Sequence, residues 1–145
     1  MRNIFFSVCV ALLFHSCKSQ QILPSYNKHM YDIIFANGFF NDTIALLLDE
    51  NEIFNSVVLT SDKSDGITNL RITINKKDND YIISSSLIKV QHTYSVNKDD
   101  FEFKVYYNSF WHRFVPKEGM GEYIIIDSKS SDLKFTQQIK EPIFD

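Results

Sequence analysis

Apolar and polar residues alternate along much of this chain, which is the pattern of a β-strand rather than of a helix. In the clearest case Leu70, Ile72 and Ile74 occupy every second position, and polar residues fill the positions between them. The same period of two runs through residues 101–107 and 133–137. Because successive side chains of a strand point to opposite faces, the pattern predicts sheets with one face in a core and the other in water.

Clusters of turn-forming residues divide the apolar runs into short segments. They include residues 37–38, 49–52, 61–66 and 117–121. Between the clusters we predict strands over residues 31–36, 43–48, 53–60, 67–75, 81–95 (in one piece or two), 101–107, 110–115, 122–127 and 133–139. Residues 25–36 and 43–50 also carry helix signals, and we interpret each as a strand.

Many short strands with regularly spaced turn signals predict an all-β fold. The predicted architecture is an antiparallel two-sheet sandwich of about seven to nine strands, with an immunoglobulin-like or jelly-roll-like path. A small β-barrel closed around a ligand is the structural alternative. The 13 Phe and seven Tyr residues supply side chains that favour strands.

The first residues of the chain have the features of a signal peptide. Arg2 provides a positive charge, and a predominantly apolar run of eleven residues follows at positions 4–14. Such a run suits a signal-peptide core but is too short for a transmembrane helix, which needs about 20 apolar residues. We therefore expect residues 1–16 to be removed.

The end of this run, Phe14-His15-Ser16-Cys17, resembles a relaxed form of the lipobox of bacterial lipoproteins. The resemblance covers residues 1–17 only. It implies cleavage before Cys17, a diacylglycerol group on its sulfur and an acyl chain on the new N-terminus. Several chains on one residue would hold a protein stably on a membrane. Residues 17–28 would then form the lipidated end and a tether, and residues 29–145 a single domain.

The resemblance also bears on location. No Asp follows Cys17 directly, and by the sorting rules of bacterial lipoproteins this favours the outer membrane, with the domain facing the periplasm. Two alternatives stay open at this point. Ordinary secretory cleavage after Ser19 would release a soluble chain, and a cytosolic protein would use the apolar run as a buried strand.

Charge and cysteine content exclude several classes of protein. The chain has 15 basic and 18 acidic residues, and loss of Arg2 makes its net charge of −3 one unit more negative. A nucleic-acid-binding protein would carry a basic patch, and the scattered basic residues form none. Both cysteines lie within the first 17 residues, so the domain has to fold without a disulfide.

Motifs for catalysis and metal binding are missing from the sequence. His29, His92 and His112 lie far apart and lack the spacing of zinc ligands. Residues 62–66 superficially resemble a calcium loop, but Lys63 occupies a ligand position, so a turn is the better interpretation. With no nucleophile elbow and no phosphate-binding loop, we predict that the chain is not an enzyme and that it has no cofactor and no metal site.

One aromatic stretch is a candidate binding surface. A bulge or tight turn near residues 108–109 would shift the apolar face to Phe110, His112 and Phe114 and turn Trp111 and Arg113 outward, beside Tyr106. Exposed aromatic and arginine side chains are typical of binding hot spots, and aromatic rings also stack on sugars. The alternative is structural: Trp111 fills the core, Arg113 stacks on it and His112 is a core histidine.

Residues 42–44, Asp-Thr-Ile, resemble an acceptor tripeptide for O-glycosylation in the periplasm of one bacterial phylum. The resemblance implies modification of Thr43, provided that this residue is exposed. The tripeptide is short and arises often by chance, so exposure is the first requirement to check.

Taken together, these features predict a membrane-anchored lipoprotein of the bacterial cell envelope whose non-catalytic β-sandwich binds another protein or a peptide. The alternative is a lipocalin-like or carbohydrate-binding module that holds a small ligand. A hydrolase would require polar side chains that converge in a cleft, for example His92 or His112 beside a carboxylate.

Overall fold

The computed structural model describes residues 27–87, 91–95 and 102–143. These residues form ten strands: β1 (Lys28–Phe35), β2 (Phe40–Leu48), β3 (Asn51–Thr60), β4 (Arg71–Lys77), β5 (Asp80–Ser85), β6 (His92–Ser95), β7 (Phe103–Tyr107), β8 (Phe110–Phe114), β9 (Tyr123–Lys129) and β10 (Asp132–Gln138). The signal segment, Cys17 and most of the tether predicted from the sequence lie outside the described residues.

The ten strands form two packed sheets, which confirms the predicted all-β sandwich. The larger sheet has the order β10-β9-β1-β4-β5-β6, and the smaller one has the order β3-β2-β7-β8. Strands β1 and β9 pair in parallel, and the other pairs in the described part of the chain are antiparallel. The sheets stay open at their edges, so the alternative of a closed barrel is not the architecture found. Residues 81–95, predicted as one strand or two, form β5 and β6.

The core lies between the sheets and is built from the alternating positions seen in the sequence. Ile72 and Ile74 of β4 face it, as do Phe103, Val105 and Tyr107 of β7. Phe103 packs against Phe114 of β8 and Phe135 of β10, with ring centroids 5.3 and 5.9 Å away. Strands β8 and β10 therefore border the same side of the sandwich, where the aromatic rings fill the space between the sheets.

Tight turns set the register of the hairpins. Asp49-Glu50, Asn108-Ser109 and Ser130-Ser131 are two-residue turns in which both residues have positive φ. This backbone conformation matches the twist of the strands it joins. Residues 28–35 and 43–48 are strands, so the strand interpretation of both ambiguous stretches is confirmed there.

The connection from β1 to β2 carries the chain from one sheet to the other. Gly38 lies in this connection with φ near 88°, and a Cβ atom there would lie 2.0 Å from the carbonyl oxygen of Ser128. Glycine is therefore required at this position by both the backbone conformation and the space.

Candidate binding surface

The β7–β8 hairpin places Tyr106, Trp111 and Arg113 on the outer face of the smaller sheet. Asn108 and Ser109 form its turn, with φ values of 48° and 69°. Tyr107 consequently pairs with Phe110, Tyr106 with Trp111 and Lys104 with Arg113. The turn predicted near residues 108–109 is confirmed. Beyond it His112 and Phe114 are half-buried as predicted, whereas Phe110 is 69% exposed.

Tyr106 and Trp111 form an exposed aromatic pair. Their ring centroids are 5.2 Å apart with an angle of 57° between the ring planes. Tyr106 is 38% exposed and Trp111 is 50% exposed, while Ala45, the neighbour of Tyr106 on β2, is buried. The alternative that Trp111 fills the core is thus not what the structure shows. The part these side chains play in binding stays a prediction.

Charged side chains border the aromatic pair on the same face. Arg113 contacts Glu102, and Lys104 contacts both Glu50 and Glu102. The hydrogen bond from Lys104 lowers the pKa of Glu102, although the loss of hydration opposes this effect. The hydrogen bond to Glu50 raises the pKa of Lys104. Both groups stay charged near neutral pH, and Arg113, with a side chain that is 67% exposed, is positioned next to Trp111.

Strand β8 is the last strand of the smaller sheet and forms an open edge next to the outer face. Within the part of the chain that the structure describes, it pairs only with β7. Because Tyr107 and Phe110 flank a two-residue turn, they form a hydrogen-bonded pair, as do the pairs at every second position beyond. The backbone N–H and C=O groups of Trp111 and Arg113 consequently point away from β7, toward the open edge.

The opposite edge of the smaller sheet is more restricted. Strand β3 is the last strand there, and the hydroxyl of Tyr94 on β6 donates a hydrogen bond of 2.9 Å to the carbonyl oxygen of Glu52 on β3. Partial burial, together with the charge of Glu52, raises the pKa of Tyr94. The larger sheet thus contacts the backbone of β3 at a position where another strand would bind.

On its inner side β8 contacts β10. His112 is half-buried, with Nδ1 3.1 Å from Oδ1 of Asp132, and Phe114 stacks on Phe135 at 5.2 Å. Nε2 of His112 is buried and has no hydrogen-bond partner among the described residues. This histidine does lie beside a carboxylate, as a hydrolase would require. His112 does not line either of the clefts described below, however, so we propose no catalytic role for His112 and Asp132.

The structure reveals a second polar group that the sequence analysis missed, on the outer face of the larger sheet. Asp32 on β1 is 5% exposed and accepts hydrogen bonds from Arg71 at 2.7 Å and from Thr73 at 2.6 Å. Arg71 also donates to Glu141, at 2.7 Å. An isolated Asp before three apolar residues was the only signal in the sequence, and it did not indicate which cation would lie beside it.

Two opposing effects act on Asp32. Burial alone would raise its pKa, but the hydrogen bonds from Arg71 and Thr73 and the positive charge of Arg71 outweigh burial and lower it. The hydrogen bond to Asp32 raises the pKa of Arg71, which therefore stays protonated. The buried Asp32 carboxylate thus has both hydrogen-bond partners and a cation beside it, and this geometry suits a structural role.

Two clefts lie at the ends of the sandwich. The larger, of about 690 Å³, is lined by charged and aromatic side chains that include Lys28, His29, Tyr31, Glu122 and Tyr123. The smaller, of about 420 Å³, borders residues 61–66. In this loop Asp62 accepts hydrogen bonds from the backbone and hydroxyl of Ser64, which lower its pKa. The interpretation of residues 62–66 as a turn is thus confirmed.

The remaining candidate residues stay apart. His29 contacts Asn75, His92 stacks on Tyr94, and His112 contacts Asp132. Across residues 27–87, 91–95 and 102–143, no three potential metal ligands come together. Thr43 is exposed on β2, so its side chain meets the first requirement for modification.

The helix-free described segments contain no element of the length and hydrophobicity that a membrane-spanning helix needs. Comparison with protein-family models, with curated proteins and with solved structures found no match.

Proposed function

We propose that this chain is a lipid-anchored protein of the bacterial cell envelope, and that its sandwich binds a protein segment at the open edge of β8. The observation that carries the proposal is the exposed pair of Tyr106 and Trp111 beside that edge. The partner segment adds to the smaller sheet as a further strand, and its side chains contact the aromatic pair and Arg113.

Strand addition suits this edge because two kinds of interaction are available at once. Outward-pointing N–H and C=O groups provide backbone hydrogen bonds, and side chains next to the edge provide selectivity. Trp, Tyr and Arg are the residue types that contribute most to binding energy at interfaces. Phe110, which is 69% exposed at the start of β8, enlarges the apolar area available to a partner.

The anchored location is supported by the lipobox-like residues 14–17 and the apolar run before them. An anchor at Cys17 would restrict the domain to the surface of a membrane, where its partners are other envelope proteins. Intact mass and fractionation of the wild-type chain beside Cys17→Ala test this part. Acylated, membrane-bound wild type and an unmodified, soluble variant are expected. A soluble wild type that begins at Gln20 would overturn it.

The binding surface is tested by crosslinking in intact cells. We compare the wild-type chain, Trp111→Ala and Phe40→Ala, each expressed in a bacterial host. Phe40 is the matched control because it is also an exposed aromatic residue, 79% exposed, and lies outside the β7–β8 hairpin. A crosslinked partner present in wild type and Phe40→Ala but lost in Trp111→Ala is expected. The same partners in all three chains would overturn the proposal.

Carbohydrate binding is a second candidate, and the exposed Tyr106–Trp111 pair favours it because aromatic rings stack on sugars. The lipocalin-like version of this alternative would need a barrel, whereas the chain has two open sheets. Trp111 is the only tryptophan, so intrinsic fluorescence reports directly on this surface. A saturable fluorescence change with envelope oligosaccharides, absent in Tyr106→Ala, would favour carbohydrate over protein as the ligand.

A further inference from the structure

Strand β8 has a sequence that complements itself when two copies pair in opposite directions. Its five residues are Phe-Trp-His-Arg-Phe, with an aromatic residue at each end, an aromatic residue in the second position, a cationic residue in the fourth, and a histidine in the centre. We propose that the partner at this edge is a second copy of the chain, joined by antiparallel β8–β8 pairing about a two-fold axis at His112. The inference rests on the proposed function, because it requires the β8 edge to be the binding surface.

The alternation of backbone groups that point toward β7 and toward the open edge along β8 agrees with a two-fold axis at His112. The N–H and C=O groups that point to the open edge belong to Trp111 and Arg113, since Phe110, His112 and Phe114 bond to β7. An axis at His112 places Trp111 opposite Arg113 of the second copy. Both residues present outward groups, so each of the two symmetric pairs forms two backbone hydrogen bonds.

Two neighbouring registers would also bring outward-pointing backbone groups opposite each other, but their side chains fit less well. An axis at Arg113 would place the two Arg113 side chains opposite each other, and like charges in that position destabilise a strand pair. An axis at Trp111 would leave Arg113 opposite Ser109, which belongs to the turn. The axis at His112 is the one that places Trp111 opposite Arg113 and pairs all five residues of β8.

The side chains of the proposed pairing are complementary on both faces of the sheet. On the outer face, the Arg113 guanidinium of one copy lies against the Trp111 ring of the other, which permits a cation–π contact. On the inner face, Phe110 lies opposite Phe114 of the second copy. Phe110 is largely exposed in a single chain, and pairing would cover it with an aromatic neighbour. A two-fold interface of this kind uses the same surface on both chains.

The interface is small, because five residues of each chain form the strand pair. Stable complexes usually bury about 1,200–2,000 Å² in total, so the pairing is expected to be weak in dilute solution. Anchoring both chains to one membrane would raise their effective concentration and favour the pair. The test is therefore made with the full chain in membranes.

Cysteine crosslinking tests the register. In the proposed pair the two residues at position 112 face each other without backbone hydrogen bonds, which brings their Cβ atoms to within about 5.5 Å. His112→Cys should therefore give a disulfide-linked dimer in oxidised membranes. His92→Cys is the matched control, because His92 is a half-buried histidine on β6, an edge strand of the larger sheet. The unsubstituted chain controls for Cys9 and Cys17.

An exchange of two residues tests the side-chain pairing. In the His112→Cys background, Trp111→Lys places a cation opposite Arg113 and should reduce the dimer about tenfold. The double variant Trp111→Arg with Arg113→Trp restores an arginine opposite a tryptophan and should restore the dimer. A different protein as partner would be adapted to the original order, so the exchange would not restore its binding.

A second crosslink covers the case in which His112→Cys fails to fold. Chains carrying Trp111→Cys and chains carrying Arg113→Cys, both at exposed positions, are co-expressed and treated with a short bifunctional thiol reagent. A mixed 111–113 product in excess over the 111–111 and 113–113 products is expected. Equal amounts of all three would contradict the register.

The outcomes separate this inference from the proposed function. Dimers from His112→Cys but not from His92→Cys, together with rescue by the exchange, would support both. Equal dimers from both cysteine variants would overturn the self-pairing. If no β8 dimer forms while a heterologous crosslinked partner still depends on Trp111, the self-pairing fails and the proposed function stands. If neither a dimer nor a Trp111-dependent partner exists, both fail.

Discussion

The outer faces of the two sheets differ in how completely their side chains are buried or hydrogen-bonded within the chain. On the larger sheet a buried carboxylate, Asp32, receives hydrogen bonds from Arg71 and Thr73, and Arg71 continues to Glu141. On the smaller sheet the large aromatic rings of Tyr106 and Trp111 stay exposed next to an edge of β8 that pairs with no other strand among the described residues. The polar groups of the first face therefore have their hydrogen-bond partners within the chain. The second face retains exposed aromatic surface, and the edge beside it retains backbone N–H and C=O groups that a partner could bind.

Selection for stability explains the arrangement of the first face but not that of the second. Removing the cation that pairs with a buried carboxylate is costly, so the Asp32 network has a sufficient structural reason. Exposed aromatic side chains contribute little to folding, because they keep much of their contact with water. A binding role accounts for the second face better than stability does. Four predictions test this distinction, in order of decreasing effect.

The largest expected effect comes from matched arginine substitutions on the two faces. Arg71→Met should lower the free energy of unfolding by about 3 kcal/mol, because it removes the guanidinium that pairs with the buried Asp32 carboxylate. Arg113→Met should lower it by less than about 0.5 kcal/mol, because the Arg113 side chain is 67% exposed in its ion pair with Glu102. Denaturant unfolding measured by circular dichroism compares them. Equal losses would mean that the two faces do not differ as described.

The next effect concerns Asp32 and pH. Asp32→Asn should lower the free energy of unfolding by about 2 kcal/mol at neutral pH, because it removes charged hydrogen bonds. The folded-state pKa of Asp32 lies below its unfolded value of about 3.9. The carboxylate therefore contributes stability above that value and loses it as the pH falls through the folded-state pKa.

The measurement for this prediction is denaturant unfolding of wild type and Asp32→Asn at a series of pH values. The difference between the two proteins should still be present at about pH 5 and should shrink below about pH 4. Asp78→Asn is the control, since Asp78 is exposed in the turn between β4 and β5. A difference for Asp32→Asn that stays constant into strong acid would refute the assignment of a lowered pKa.

A smaller effect on stability is expected for the aromatic pair. Trp111→Ala should lower the free energy of unfolding by about 0.5 kcal/mol, the size of a cross-strand aromatic contact. Thermal unfolding followed by circular dichroism measures the change, and the crosslinking described above measures partner binding. Loss of several kcal/mol would assign Trp111 a structural role and weaken the argument for a binding surface.

The smallest effect is expected at the outer end of the charged network. Glu141→Gln should cost roughly 0.3 kcal/mol, because its ion pair with Arg71 lies at the surface. Salt should reduce even this difference, since exposed pairs are screened. Unfolding at low and high salt measures it. A loss as large as that of Arg71→Met would show that Glu141, rather than Asp32, is the main partner of Arg71.

Local patterns in the sequence were sufficient to predict much of the candidate surface. The shift of the apolar face after residue 107 predicted a turn at 108–109 and the outward direction of Trp111 and Arg113. Turn chemistry and alternation are properties of neighbouring residues, so they can be recognised without the fold. The Asp32–Arg71 pair could not be predicted, because its members are 39 residues apart and meet through strand pairing.

By itself the sequence determined the strand content, the hairpin turn of β7 and β8 and the side chains on each face of that hairpin. These depend on backbone preferences and on the period of two, which act over a few residues. Only the tertiary structure decided the strand order, the parallel pairing of β1 with β9 and the position of β8 at an open edge. These features depend on which distant segments bury the most apolar surface together, and that choice is made by the packing of the whole chain.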